Sequence, residues 1–147
     1  MAKHVPATAR IENGLKCLVE GTRGELIETD MPNAMGGNGS APNPGWVFRA
    51  SLASCCATVI AMQAAQQGIE LTTLEVTVES DGDLRGILGL DDTITAGLSS
   101  LKTNVRIGAD NATPEQLREI VEWGSAHAPV GCTVQNAPGN ATVIDIV

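Results

Sequence analysis

One stretch constrains this chain more than any other: Asn43 to Gly68, NPGWVFRASLASCCATVIAMQAAQQG. It reads as a single long helix. Pro44 suits a first helical position, where its missing N–H has no intrahelical partner to lose. Gly68 suits the residue just past the end, where φ > 0 is usual. Between them stand Ala, Leu, Met, Gln and Val, with Gly45 directly after the proline and no other Gly or Pro inside. Apolar residues fall on nearly every face, which predicts a helix buried on most sides. Ala50, Ser51, Ala53, Ser54 and Ala57 are small and let other elements approach closely. In that wall sit two adjacent thiols, Cys55 and Cys56. Arg49, Ser51, Ser54, Gln63 and Gln66 interrupt the apolar run, so it reads as a core helix rather than a membrane span.

At 147 residues the chain is read as one domain, 1–147, long enough for a sizeable core. Seventeen Asp and Glu against nine Lys and Arg give a net charge of −8. No basic footprint for nucleic acid exists in that balance. With Trp46, Trp123 and Phe48 as the aromatic residues, the core must be built from Val, Ile, Leu and Ala. The N-terminus lacks the charged-then-apolar pattern and cleavage site of a secretory signal. The expected location is therefore a reducing cytoplasm, where thiols are free, catalytic or redox-sensing. Four cysteines (Cys17, Cys55, Cys56, Cys132) without a CxxC pair, and two distant histidines, His4 and His127, offer no pattern for structural zinc.

Residues 5–11 and 15–20 read as strands joined by Asn13-Gly14, a dipeptide suited to a type I′ hairpin turn. Glu25 to Thr29 is a third strand, and Cys17 falls mid-strand as a core or face residue. Asp30 to Pro42 is rich in Gly, Pro, Asn and Ser; it is an interdomain linker or, preferred here, an ordered loop over the helix N-terminus. Its Gly36-Gly37-Asn38-Gly39 run has neither dinucleotide nor Walker spacing, which argues against phosphate. Leu71 to Ser80 alternates as a half-buried strand, with Leu74, Val76 and Val78 on one face. Leu84 to Ser99 is expected as loop with a short helical turn. Leu101 to Ile107 is a strand. Thr113-Pro114-Glu115-Gln116 opens a second helix by a capping box, with Leu117, Ile120, Val121 and Gly124 on its inner face and its end near His127. Gly131 to Gly139 is expected as loop and Ala141 to Val147 as a closing strand. The order is α+β, with a mainly antiparallel sheet and the helices on one face.

The spacing Asn43-Pro44, Cys55 twelve residues on and Gly68 thirteen further resembles the OsmC/Ohr family of thiol-dependent peroxidases. Ala126-His127-Ala128-Pro129-Val130-Gly131 is similar to that family's second-cysteine segment, A-H-x-C-P-V-S/G. Asp30-Met31-Pro32 and Gly36-Gly37 resemble the D-x-P and GG signature of one OsmC-like branch. The likeness spans essentially the whole chain. It implies an intertwined homodimer with the cysteine helices central, active sites at the subunit interface, hydroperoxide as substrate, a dithiol as reductant, and neither cofactor nor metal.

By the same resemblance Cys55 is the peroxidatic cysteine, the thiol whose thiolate attacks the O–O bond. Cys56 falls where the family usually has Phe or Thr. The family's thiolate is held by an Arg before Asn-Pro, itself held by a Glu directly after it. Here Gly45 stands in place of that Glu, and no Arg occurs between Asp30 and Asn43. The nearest substitutes are Arg49, Arg10 and Arg23. Arg49 and Cys55 project about 120° apart on a regular helix, so Arg49 is expected to serve the other subunit or a carboxylate. Ala128 occupies the resolving-cysteine position, and Cys132, four residues later, is the candidate replacement. Cys56 diverges from Cys55 by about 100°, too far for a disulfide between them. His127 reads as a helix-end residue. Two readings stay open: a hydroperoxide reductase, or a non-catalytic relative that binds a small thiol or apolar ligand in the dimer cleft.

Overall fold

A computed structural model describes residues 3–147. The chain gathers into two compact units, the first reaching to Ala50 and the second running Ser51–Val147. The fold is α+β, and among the described residues the strands are antiparallel and form two sheets.

The first unit holds β1 (Ala7–Asn13), β2 (Lys16–Gly21) and β3 (Leu26–Thr29), paired in that order. Its hairpin differs from the expected one. Asn13 pairs with Lys16, so the loop residues are Gly14 and Leu15, and Gly14 at φ 59° carries the positive φ. A single positive φ at the first loop position is the II′ pattern rather than I′. Opposed residues on neighbouring strands share a face. Ala9–Val19–Ile27 and Ile11–Cys17–Thr29 make one face apolar. The other face carries the ion pairs Arg10–Glu20 and Lys16–Glu28.

The loop from Asp30 to Pro42 is ordered around one carboxylate. Asp30 is 1% exposed. Its Oδ1 accepts from Met31 N at 2.8 Å, and its Oδ2 accepts from Asn38 N at 3.2 Å, Ser40 N at 3.0 Å and Ser40 Oγ at 2.8 Å. These donors hold the Asp30 carboxyl below the usual carboxylate range, Ser40 most of all. Gly37 permits the wrap, because a Cβ there would collide with the Met31 carbonyl. The loop delivers Asn43, whose Oδ1 caps Trp46 N at 2.9 Å, and the long helix α1 (Pro44–Gln66) begins. It ends at Gly68 with φ 68°, where Ile69 N–H returns to Ala64 O at 2.9 Å. That is the glycine stop read from the sequence.

The burial of α1 is narrower than expected. Leu52, Cys56, Ile60 and Ala64, one residue every turn, are buried. Trp46 and Met62 are more than half exposed. An apolar sequence on every face buries only the faces that meet something, and within the second unit one stripe does.

The second unit adds β4 (Leu71–Asp81), a short α2 (Leu84–Ile87), β5 (Ser100–Ala109), α3 (Pro114–His127) and α4 (Pro129–Gln135). β4 and β5 pair antiparallel along their whole length. Leu74, Val76, Val105 and Ile107 turn toward a core of Cys56, Ile60, Ala64, Ile69, Ile120 and Ala128. The capping box of α3 is complete, with Thr113 Oγ1 accepting from Gln116 N and Gln116 Oε1 accepting from Thr113 N. Leu117, Val121 and the fully buried Ile120 face inward, as read.

Two expectations are corrected here. Gly131 to Gly139 is not simply loop, because α4 takes up its first half. Pro129 ends α3 and also opens α4, since a proline costs nothing at a first helical position. Ala141 to Val147 is no strand: among the described residues, 136–147 have no ladder partner, and Val143 and Ile146 stand almost fully exposed. β-branched composition alone does not make a strand where no sheet edge is offered to it.

Candidate functional site

The site lies in the second unit, where α1 meets the turn between α3 and α4. Two contacts fix that meeting. Gly124 on α3 is so close to α1 that a Cβ on it would lie 2.6 Å from Ile60 Cγ1 and 3.1 Å from Ile60 Cα and N. Ala128, four residues on and 2% exposed, is buried in the same core. Pro129 then redirects the chain, and Val130 N–H donates to Cys55 Sγ at 3.5 Å.

The two adjacent thiols part as helix geometry requires. Cys55 is half-buried against the core cluster, under Val130. Cys56 is 5% exposed, and its Sγ lies 3.9 Å from Ser125 Oγ. Cys56 borders a pocket of about 280 Å³ whose other walls include Leu52, Leu101, Ala128 and Val134, with Thr103, Ser125 and Gln135 as polar groups. A cavity of that character suits a small, mostly apolar molecule. All four cysteines are free thiols.

Cys132 is on α4, not in a loop. Its S–H donates to Ala126 O at 3.0 Å. His127 is a helix-end residue: its ring stacks on Trp123 with centroids 4.0 Å apart, and Nδ1 lies 2.7 Å from Trp123 O. The turn from α3 to α4 thus meets α1 at two sulfurs, Val130 at Cys55 and Ser125 at Cys56, while His127 and Cys132 bond within the turn's own chain.

The three arginines singled out in the sequence belong to the first unit, while Arg85, Arg106 and Arg118 lie in the second. Arg10 pairs with Glu20 and Arg23 with Glu25. Arg49 is half-buried, and its guanidinium reaches back to the first turn of α1, where a Cβ on Gly45 would lie 3.8 Å from Nη1. Cys17 sits on the apolar face of the first sheet. Among the described residues no three His, Cys, Asp or Glu side chains gather to hold a metal.

Sequence reasoning missed the backbone donor at Val130. Its signal was present, since Pro129 in the Ala-Pro-Val-Gly run makes Val130 the first residue after the turn with an N–H. A side-chain search does not find a main-chain group.

Comparisons with known proteins were made with this geometry in view. The sequence model of the family described as OsmC-like protein matches residues 37–141. Comparison with curated proteins gives no match. Among solved structures, an OsmC-like protein from Mycoplasma pneumoniae superposes with a TM-score of 0.77 at 17% identity, over 93% of this chain and 91% of that one. An organic hydroperoxide resistance protein OsmC from Legionella pneumophila gives 0.61 at 22% identity, over 92% and 91%. The organic hydroperoxide resistance protein OhrB of Bacillus subtilis gives 0.59 at 20%, over 92% and 93%. At these identities the likeness is one of fold.

Proposed function

The chain belongs to the OsmC-like protein family, and from that premise we propose that it is a thiol-dependent reductase of organic hydroperoxides with Cys55 as its nucleophile. The observation that carries the reading is the placement of Cys55: a free, half-buried thiol against an apolar core, meeting a main-chain donor. The names of the Legionella and Bacillus relatives, organic hydroperoxide resistance proteins, support the substrate class.

In the proposed reaction the Cys55 thiolate attacks the outer peroxide oxygen. The S–O bond forms as the O–O bond breaks, and the departing alkoxide takes a proton to leave as alcohol. Cys55 is then a sulfenic acid. Cys132 is the proposed resolving thiol. Its sulfur displaces hydroxide, which leaves as water, and a Cys55–Cys132 disulfide results. For this the Cys132 S–H must give up its weak bond to Ala126 O. A dithiol reductant returns both cysteines to thiols by exchange. We place Arg49 outside this chemistry within its own chain and assign it to the partner's side of a homodimer. That homodimer covers the faces of α1 left exposed at Trp46 and Met62.

One observation favours a second reading. The pocket beside Cys56 is mostly apolar and does not include Cys55 among its walls, which suits binding of a small, mostly apolar molecule better than chemistry at Cys55. Peroxide consumption decides between the two. Wild type and Cys55→Ser are given cumene hydroperoxide with excess dihydrolipoamide. Turnover that Cys55→Ser abolishes is expected. No turnover by wild type with dihydrolipoamide or dithiothreitol overturns the enzyme reading and leaves the binding one.

A further inference from the structure

We propose that the Val130 backbone N–H is the group that, within its own chain, holds negative charge on Cys55 sulfur. This rests on Cys55 being the nucleophile.

Among the described residues, Val130 N–H is the one donor within hydrogen-bond reach of Cys55 Sγ. On the packed elements α3 also carries Arg118, Glu119 and Glu122 and β5 carries Lys102 and Arg106, none of them hydrogen-bonded to this sulfur, and the nearest thiols and imidazole along the turn have contacts of their own. On α1, Cys56 Sγ lies against Ser125 Oγ; at the end of α3, His127 Nδ1 lies against Trp123 O; on α4, Cys132 donates to Ala126 O. Among the described residues no cation is hydrogen-bonded to the sulfur. A donor facing a developing anion in a water-poor setting is worth more than one between neutral groups. A main-chain donor also needs no side-chain ordering, because its position is set by the chain itself.

Three features pin this N–H. Pro129 before it has no N–H of its own, so Val130 is the first donor after the turn. The buried Ala128 anchors the turn in the core. The Gly124–Ile60 approach fixes α3 against α1 and hence the turn against Cys55. At the second position of a helix the N–H has no intrahelical acceptor, so it is free to serve the thiol without weakening α4.

The test removes one atom. In protein carrying Cys17→Ser, Cys56→Ala and Cys132→Ser, Cys55 is the sole thiol. Val130 is replaced by its α-hydroxy analogue through nonsense suppression, which turns the amide N–H into an ester oxygen. Alkylation by iodoacetamide is followed from pH 6 to 10; Cys55 sulfur forms a bond to carbon and iodide leaves. The ester is expected to slow alkylation at pH 7 by about tenfold or more and to move the rate profile to higher pH. Val130→Ala, which keeps the N–H, is expected to retain the parental profile. Val130→Pro, which deletes the same N–H at a first-turn position that proline tolerates, is expected to follow the ester. Ester and proline variants that alkylate at the parental rate, with the parental profile, overturn the proposal. Because alkylation needs no peroxide, a donor effect without peroxide turnover sinks the reductase reading and leaves this one standing.

Discussion

Gly124→Ala reports on the contact that aligns the candidate site. On an unencumbered helix surface this change stabilises, by about 1 kcal/mol of helix propensity. At position 124 the added methyl meets Ile60. Its Cγ1 would be 2.6 Å away, and its Cα and N 3.1 Å away. Ile60 is fully buried, and β-branched side chains in helices are held to essentially one χ1 rotamer. The two backbone atoms cannot rotate away at all. Relief therefore needs α1 and α3 to separate, and overpacking of this kind costs about 1–3 kcal/mol. Subtracting the propensity gain leaves a net loss of about 1 kcal/mol, or roughly 2–4 °C in Tm for a chain of this size. Urea unfolding followed by far-UV circular dichroism, with the slope unchanged, reads it directly. A double-mutant cycle sharpens the result: in an Ile60→Ala background the worst contact is gone, and Gly124→Ala is expected to become neutral or stabilising. A higher midpoint for Gly124→Ala in the wild-type background would falsify the close-approach argument.

Four other outcomes follow from the geometry. Thr113→Ala removes the hydroxyl that caps α3 and is expected to cost about 1 kcal/mol in urea unfolding; a change near zero means that Gln116 alone suffices. Ile120→Ala empties a fully buried site and is expected to cost about 2–5 kcal/mol; a loss under 1 kcal/mol contradicts a tight core. The Asp30 carboxyl is held below its ordinary range, so its contribution is complete above the unfolded value near pH 4 and fades as the pH falls through the folded value beneath it. Asp30→Asn is therefore expected to flatten the acid limb of the stability curve between pH 5 and 2, and an unchanged slope contradicts the loop geometry. Peroxide-treated wild type is expected to yield a Cys55–Cys132 disulfide on peptide mapping, and Cys132→Ser a sulfenic acid trapped by dimedone; a disulfide through Cys17 instead removes Cys132 from the mechanism.

The elements with strong local signals were legible. Asn43-Pro44 and Gly68 bracket α1, Thr113 to Gln116 open α3, and the alternation of Leu74, Val76 and Val78 gives β4. Each is written in neighbouring residues, so nothing distant has to be known. What stayed hidden depends on partners far along the chain. The apolar residues of α1 state that it can be buried, not how much of it will be. Ala141 to Val147 have the β-branched composition of a strand, but a strand is a relation between two segments. Pro129 marks an end and a beginning with the same residue, and composition does not say which. For the site, Cys55 and Cys132 were visible as residue types, while the N–H that meets Cys55 belongs to a valine. That no Arg lies between Asp30 and Asn43 is a sequence fact that poses the question; the geometry around Val130 is where an answer has to be sought.

The first sheet carries a consequence of its own. Ile11 and Ile27 lie on its apolar face and remain substantially exposed, while the opposite face is satisfied by ion pairs. A three-stranded sheet gains its independent stability from a covered face. If a second copy supplies that cover, the free energy of the fold contains a concentration. Dilution then acts as a denaturant: the unfolding midpoint falls as the protein is diluted, and the last step of refolding becomes second order.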